Sequence, residues 1–480
     1  MTEQPESHST GRKGARVYLA GSVLGQACAL FRYTLLARLL GPTQLGLVAT
    51  LVLVSQFFEL ISDTGSDRFL VQDSKGDTPE VQQLVQLVFV GRGLFMAAGL
   101  LIFAKPIAAL YGQPVLFAGL GFLALSPLAA GLVHLDMRRV QRRHNFTPEG
   151  IGMLVSEPLG LIATLIAAFL THDYTAILYG LVTRAATVTI VSHLFAKRPY
   201  RLGYSPAVAR RLAAFTAPLL ANGILLFVAG QSDRVVISRL VGLEEFGRYT
   251  AVLLLVLYPT AALSRYIAAI HLPLIAASRS TTARGDPADL LGGRVMMMAT
   301  AIAAGFACLA PLIVLLLYGH RFTQPAVLVG LIGVLQSARF IRIWPTTVAV
   351  GLGRSKIVMA NNLARILGIP AAFAGLALIG GVQGVLAGFI LGEFAALMTA
   401  VYMVNRGRGT PLWTDFDRIA AFAIGCGLTI ASLACVQQRW LPGLLLVPAI
   451  GLFLYWQVRK EWASLEIGIR WFRRRWERFA

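Results

Sequence analysis

Charge is scarce in this chain. Asp, Glu, Lys and Arg together make 14% of its 480 residues, where a soluble domain carries about 25%. Acid is the scarcer sign, with 23 Asp and Glu against 43 Lys and Arg. Cysteine is almost missing. Cys28, Cys308, Cys426 and Cys435 fall in apolar stretches without metal-ligand spacing and read as small buried hydrophobes. No His/Cys/Asp cluster has metal spacing, and there is no GxxxxGK[ST] phosphate loop, so neither a metal centre nor nucleotide hydrolysis by that route is expected. No cofactor is expected either. The first ten residues are polar with no apolar run behind a short basic start, so the first apolar segment is expected to be a span and not a cleaved signal. The longest connections, near 68–81, 197–211 and 271–289, hold roughly 15–20 residues. That is too little for an extramembrane catalytic domain.

What is present is apolar surface. Hydrophobic residues make 56% of the chain, and the mean hydropathy is +0.68. A spanning helix needs about 20 mostly apolar residues. Fourteen stretches qualify: 15–40, 44–67, 82–104, 114–135, 148–170, 174–196, 212–240, 246–270, 290–318, 325–350, 357–380, 382–404, 417–436 and 441–457. The expected fold is therefore an all-α integral membrane protein of about fourteen transmembrane helices.

Basic residues test that count, because cytoplasmic connections collect Lys and Arg. The termini and the even-numbered connections hold 29 of the 43, among them Arg138, Arg139, Arg142, Arg143, Arg198, Arg354 and Arg406. The odd-numbered connections hold Arg38, Lys105, Arg239, Arg248, Arg321 and Arg439. A miscounted helix would invert every later connection, so the alternation supports a multi-pass protein of a bacterial cytoplasmic membrane with both termini inside. It also turns the formal charge of +20 toward anionic lipid headgroups and away from nucleic acid.

The chain repeats itself. Arg38-Leu39-Leu40-Gly41-Pro42-Thr43-Gln44-Leu45-Gly46 returns as Arg239-Leu240-Val241-Gly242-Leu243-Glu244-Glu245-Phe246-Gly247. Leu110-Tyr111-Gly112 matches Leu317-Tyr318-Gly319. Pro114, Gly119, Ser126 and Arg143 match Pro325, Gly330, Ser337 and Arg354, and Gly180 matches Gly388. Duplicated helix bundles are an architecture of transporters, with the substrate site between the halves. The expected divisions are a cytoplasmic tail at 1–14, a first six-helix bundle at 15–205, a second at 206–405, an additional helix pair at 406–458 and an amphipathic interfacial helix at 459–480. The last reading rests on Trp462, Leu465, Ile469, Phe472 and Trp476 opposite Arg470, Arg473, Arg474 and Arg475. A partner-docking helix is the alternative for that tail.

Eight arginines fall within the expected spans: Arg32, Arg92, Arg184, Arg234, Arg265, Arg339, Arg342 and Arg365. The acids in or near spans are Glu59, Asp63, Asp67, Glu157, Asp233 and Glu393. A charge at mid-bilayer costs about 2.5–3.5 kcal/mol on insertion scales, so these groups are expected to face one another or water. The surplus is cationic, and guanidinium suits phosphate through its planar fork. Arg32, Arg92, Arg184, Arg234, Arg265, Arg339 and Arg342 are thus candidates for an anionic substrate group. Against that, Arg32 and Arg184 have the alternative of pairing with acids on neighbouring helices, and Arg265 and Arg365 of snorkelling. Glu59, Asp63, Asp233, Glu157 and Glu393 are candidates for ion coupling or gating. Glu59, Asp63 and Asp67 are spaced by four, on one face of the second span. Pro158, Pro218, Pro259 and Pro345 are expected to kink their spans.

The run Leu36–Gly46, followed by an apolar helix and by Ser62-Asp63-Thr64-Gly65 through Val71-Gln72, resembles the start of oligosaccharide flippases. These are the O-antigen and exopolysaccharide exporters of the multidrug/oligosaccharidyl-lipid/polysaccharide superfamily. The likeness extends over nearly the whole chain. It implies two six-helix bundles in a V around a central cavity. It implies alternating access that carries an undecaprenyl-diphosphate-linked oligosaccharide between leaflets, among membrane lipids and beside a polysaccharide polymerase or chain-length regulator. It also implies that helices one, two, seven and eight line the cavity, which raises Arg32, Asp63, Asp233, Arg234 and Arg265. Where Arg32 sits in the first copy, Asp233 sits in the second. A multidrug or small-cation antiporter of the same superfamily is the alternative, and it favours an acid-rich cavity. A membrane glycan polymerase or glycosyltransferase is a third reading, disfavoured by the short connections.

Overall fold

The computed structural model describes residues 5–143, 145–277, 287–408 and 415–437, with scattered positions between 451 and 459. Among the described residues every regular element is helical. In chain order they are α1 (Pro5–Leu40), α2 (Pro42–Ile61), α3 (Ser66–Gln72), α4 (Pro79–Tyr111), α5 (Val115–Leu123), α6 (Leu125–Gly131), α7 (Asp136–Gln141), α8 (Thr147–Thr171), α9 (Thr175–Leu194), α10 (Pro206–Val236), α11 (Leu243–Ala277), α12 (Pro287–Tyr318), α13 (Ala326–Ile341), α14 (Ile343–Gly351), α15 (Ser355–Arg365), α16 (Gly368–Leu378), α17 (Gly381–Arg408) and α18 (Phe416–Gln437). Among the described residues, twelve helical stretches are long and apolar enough to cross a membrane. The place expected for a span at 114–135 is filled by α5 and α6 end to end, a shorter apolar pair. The expected span at 441–457 and the tail helix at 459–480 lie outside the described residues.

Three spans are broken, each four or five residues before a proline. α5 ends at Leu123 and α13 at Ile341, four residues ahead of Pro127 and Pro345, and α15 ends at Arg365, five ahead of Pro370. A proline lacks the N–H that would bond the carbonyl four residues earlier, and its ring crowds that carbonyl. Pro158, Pro218 and Pro259 lie inside continuous helices.

Contacts divide the chain into two compact units, Met1–Gly247 and Arg248–Ala480. The first packs Leu47, Val48 and Leu51 of α2 against Leu100, Leu116, Leu120 and Ile177. The second packs Leu291 and Val295 of α12 with Ile341, Trp344, Val348 and Phe422. Large side chains such as Ile102, Phe103, Leu170, Leu378 and Leu391 remain exposed, as apolar faces in contact with lipid do. The repeat counts α10 into the second copy, yet by contact α10 groups with the first unit. It lies along α2: Phe57 meets Phe227 edge-on at 5.0 Å, and the Thr216 hydroxyl donates to the Thr64 carbonyl at 2.9 Å. Beyond the end of α2, Arg211 reaches both oxygens of Asp73 at 3.0 Å.

The repeated motif has a physical reason. Gly41 and Gly242 turn the chain between consecutive helices with φ of 82° and 124°, a region that residues with a Cβ rarely adopt. The second glycine of each copy is where the copies touch. A Cβ on Gly46 would stand 1.9 Å from the Leu243 carbonyl oxygen, and one on Gly247 would stand 1.9 Å from the Pro42 carbonyl oxygen. The contact is reciprocal, backbone on backbone.

One end of the first unit is a polar lattice. His134 Nδ1 accepts the Asp136 N–H at 3.1 Å, which leaves the proton of the neutral ring on Nε2. Its ring meets His193 edge-on at 5.3 Å. Asp136 accepts Arg139 Nε at 2.6 Å and the Lys197 N–H at 2.8 Å. Burial and then the neighbouring His193 push the His134 pKa below its ordinary 6.5. The Arg139 hydrogen bond holds Asp77 below the usual carboxylate range.

Two outcomes are expected. Gly46→Val or Gly247→Val drives a side chain into a carbonyl and lowers stability by about 1–3 kcal/mol or more, the range for overpacking, read as an earlier thermal transition of the detergent-solubilised protein. Gly230→Ala, whose Cβ meets nothing within 4 Å, leaves it unchanged. The His134 ring refuses a proton that the unfolded chain accepts, so stability is full above the ordinary pKa near 6.5 and falls as pH drops below it, by up to about 1.4 kcal/mol per pH unit. Melting scans from pH 7.5 to 5.5 show this fall, and His134→Asn flattens it.

Candidate functional site

Glu157 is the hub of the first unit. It sits on α8 between α1 and α9, with Arg32 Nη2 at 3.2 Å from Oε2 and Arg184 Nε at 2.5 Å from Oε1. Small residues allow this closeness. On α1, a Cβ on Gly21 would lie 2.8 Å from the Gly150 carbonyl, and one on Gly25 would lie 3.2 Å from Glu157 Cγ. Arg32 is two turns further along α1 on the same face. Between α8 and α9, Gly160 and Gly180 abut, and a Cβ on Gly180 would meet the Gly160 carbonyl at 2.6 Å. Arg32 is buried, whereas the Arg184 side chain is 46% exposed.

Glu393 is the hub of the second unit. On α17 it holds Arg339 Nε at 3.1 Å, Arg342 Nε at 2.8 Å and Arg365 Nη2 at 2.9 Å. All four side chains are at least about seven-eighths buried. The three guanidiniums come from the broken spans: Arg339 in the last turn of α13, Arg342 at its C-cap, and Arg365 as the last residue of α15. A helix C-terminus carries roughly half a negative charge.

Part of the charge pattern is inverted between the two copies. At the offset of 208 residues that places Gly160 on Gly368 and Gly180 on Gly388, Glu157 falls on Arg365 and Arg184 falls beside Glu393. Arg32 in turn aligns with Asp233, which is fully buried. Base, acid, base in one copy becomes acid, base, acid in the other. Arg365 was set aside as a snorkelling residue, and this offset was the signal that identifies its place.

The remaining sequence candidates scatter. Arg92 Nε donates to the Ser62 hydroxyl at 3.2 Å and its Nη2 to the Glu59 carbonyl at 3.1 Å, so it closes the end of α2. The Glu59 side chain is exposed. Asp63 accepts the Gly65 N–H at 3.1 Å and pairs with Arg68 at 3.3 Å. Glu59, Asp63 and Asp67 do not share a helix face. α2 stops at Ile61, and Gly65, at φ 58°, separates it from α3 with Asp67. Arg234 is half-buried and Arg265 exposed. The expectation that Arg32, Arg339 and Arg342 face an open cavity is corrected: each is buried against a carboxylate, because an unpaired guanidinium in an apolar interior is too costly. No three His, Cys, Asp or Glu side chains come together to hold a metal ion among the described residues.

Residues 35–327 match the family model described as polysaccharide biosynthesis protein. The succinoglycan biosynthesis transport protein ExoT of Rhizobium meliloti (strain 1021) is 28% identical over 305 residues, covering 62% of this chain and 60% of that protein. The lipopolysaccharide biosynthesis protein WzxC of Escherichia coli (strain K12) is 23% identical over 274 residues, covering 56% and 55%. Each match thus spans less than two thirds of the relative. In fold, the chain is similar to lipid II flippase MurJ in an inward closed conformation, with a TM-score of 0.67 at 12% identity over 93% of this chain and 99% of that one. It is also similar to the Vibrio cholerae MATE transporter VcmN, with a TM-score of 0.57 at 14% identity over 84% and 98%.

Neutralising a hub has a defined outcome. Glu393→Gln strands three buried guanidiniums and costs about 3–5 kcal/mol, the range for breaking a buried pair, seen as loss of folded protein on size exclusion. Glu157→Arg or Arg184→Glu alone is similarly harmful, whereas the two together recover most of the folded yield, because they recreate the order found at Arg365 and Glu393.

Proposed function

The chain belongs to the polysaccharide biosynthesis protein family, and from that premise we propose that it is a flippase for a lipid-linked oligosaccharide. It moves an undecaprenyl-diphosphate-linked glycan from the inner to the outer leaflet of a bacterial cytoplasmic membrane by alternating access, for surface polysaccharide assembly. A polymerase or chain-length regulator receives the product, and both termini stay in the cytoplasm.

The observation that carries this reading is the sign of the interior charge. Each hub holds more guanidinium than carboxylate: two arginines on Glu157 and three on Glu393. A diphosphate and its sugars cannot enter hydrocarbon without replacement of their water, and a net cationic interior supplies that replacement while the polyprenyl tail stays in lipid. The same sign disfavours a cation antiporter, despite the fold shared with a MATE transporter. Arg184, Arg234 and Arg265 retain exposed or half-exposed guanidiniums, and they are the proposed diphosphate contacts. Arg32, Arg339 and Arg342 hold the framework, with Glu157 and Glu393 setting their positions. Arg92, Glu59 and Asp63 shape the end of α2. Asp233, buried beside Arg234, is the remaining gating candidate.

In a strain lacking this protein, mass spectrometry is expected to find the lipid-linked oligosaccharide accumulating and the surface glycan lost. Wild-type protein restores the glycan. Arg184→Gln with Arg234→Gln and Arg265→Gln reaches the membrane but restores at least about tenfold less, since one charge-assisted hydrogen bond is worth roughly 1.5–3 kcal/mol. Normal surface glycan in that variant removes the three from the site, and no accumulated intermediate in the deletion strain removes the function.

A further inference from the structure

Much of the basic charge in the first unit's connections is paired within that unit. Arg138 pairs with Asp67 and Glu149, Arg139 with Asp136 and Asp77, Arg143 and Arg198 with Asp77, and Arg211 with Asp73. In the second unit, Arg418 pairs with Asp289 and Asp415. One basic surface is different. Where α14 gives way to α15, beside the end of α17, Arg354, Lys356 and Arg406 line an open cavity of about 680 Å³ together with Ser355 and Tyr402. All three cations are exposed, and none has a carboxylate within 4.0 Å among the described residues. The contrast is sharpest across the repeat: Arg143 has Asp77 as partner, while its counterpart Arg354 has no acid partner among the described residues. Arg354 instead lies across α17, where its Nη1 would stand 1.7 Å from a Cβ on Gly407.

The surface below this cavity is apolar and continuous with it. On α17, Met398, Tyr402 and Arg406 follow at four-residue spacing on one face, and the first two are exposed. On α15, Met359 and Leu363 are likewise spaced by four and exposed. Three cations without counter-ions among the described residues, at the head of an apolar stripe, match a molecule with a phosphate at one end and hydrocarbon at the other. Basic pockets at the ends of membrane helices bind anionic headgroups in this way, and tyrosine favours the same interfacial depth.

We propose that this cavity binds the phosphate headgroup of an anionic membrane phospholipid whose acyl chains run along the Met398–Tyr402 and Met359–Leu363 stripe. The site goes beyond the transport reading and does not depend on it, because lipid retention and glycan export are measured separately. The shared chemistry is a phosphate ester. The apolar stripe selects its lipid-borne form over a soluble one.

Native mass spectrometry of the full-length protein in detergent tests this, with phosphatidylglycerol and phosphatidylcholine of identical acyl chains as probes. Wild-type protein is expected to retain phosphatidylglycerol in preference by about tenfold or more, since each Lys or Arg near a headgroup contributes appreciably. The variant combining Arg354→Gln, Lys356→Gln and Arg406→Gln loses that preference. A control combining Lys75→Gln, Arg201→Gln and Arg210→Gln, three exposed cations of the first unit, keeps it within about twofold, although the same bulk charge is removed. Glycerol phosphate at concentrations comparable to the lipid does not displace it. Equal loss in both variants, equal retention of the neutral lipid, or displacement by glycerol phosphate overturns the proposal. The exposed positions and isosteric amides keep the fold intact, which an unchanged size-exclusion profile verifies.

Discussion

A carboxylate within an apolar bundle, shared by more guanidiniums than it can neutralise, is the interaction on which this structure depends. Removing ions from water costs several kcal/mol each even after relaxation, so five arginines inside the spans are tolerable only where something answers their charge. Glu157 answers two and Glu393 answers three. Around Glu157 the answer is proximity, since glycines in α1, α8 and α9 remove the side chains that would hold the arginines away. Around Glu393, three arginines converge where α13 and α15 end.

Duplication followed by charge inversion is economical in the same physical sense. A pair that attracts as acid on α8 and base on α9 attracts equally with the signs exchanged, provided the glycine contacts that set their separation persist. Gly160 with Gly180 in the first unit, and Gly368 with Gly392 and Gly388 with Ala371 and Ala372 in the second, are those contacts. The inversion leaves the two units with different electrostatics on a shared frame. The first presents a half-exposed Arg184, while the second buries its whole cluster. A transporter for an asymmetric lipid headgroup has use for such inequality, and that belongs to the proposed function.

Much of the fold was legible in the sequence, because a spanning helix satisfies its own backbone and announces itself as an apolar run. The helix order followed from that, and so did the motif at Gly41 through Gly46. Its counterpart at Gly242 through Gly247 turned out to be the place where the copies meet. The proline signal was less legible. A missing N–H weakens one hydrogen bond wherever it falls, but Pro158, Pro218 and Pro259 remain within continuous helices and Pro127 and Pro370 do not. The site was legible as a list of charges and not as pairs. Arg32 and Glu157 are 125 residues apart in sequence, and no local pattern joins them. Arg365 was passed over because a snorkelling route exists for any arginine near a helix end. The α2 acids were misjudged because Gly65 ends the face they were assumed to share.

In the proposed function, the interior is cationic in order to carry a diphosphate through lipid. Reconstituted into proteoliposomes, the protein should move a fluorescent oligosaccharide linked through diphosphate to a polyprenyl chain, as read by its accessibility to an impermeant quencher, and should leave the same glycan joined through an uncharged ether in its original leaflet. Equal movement of both lipids would contradict the account.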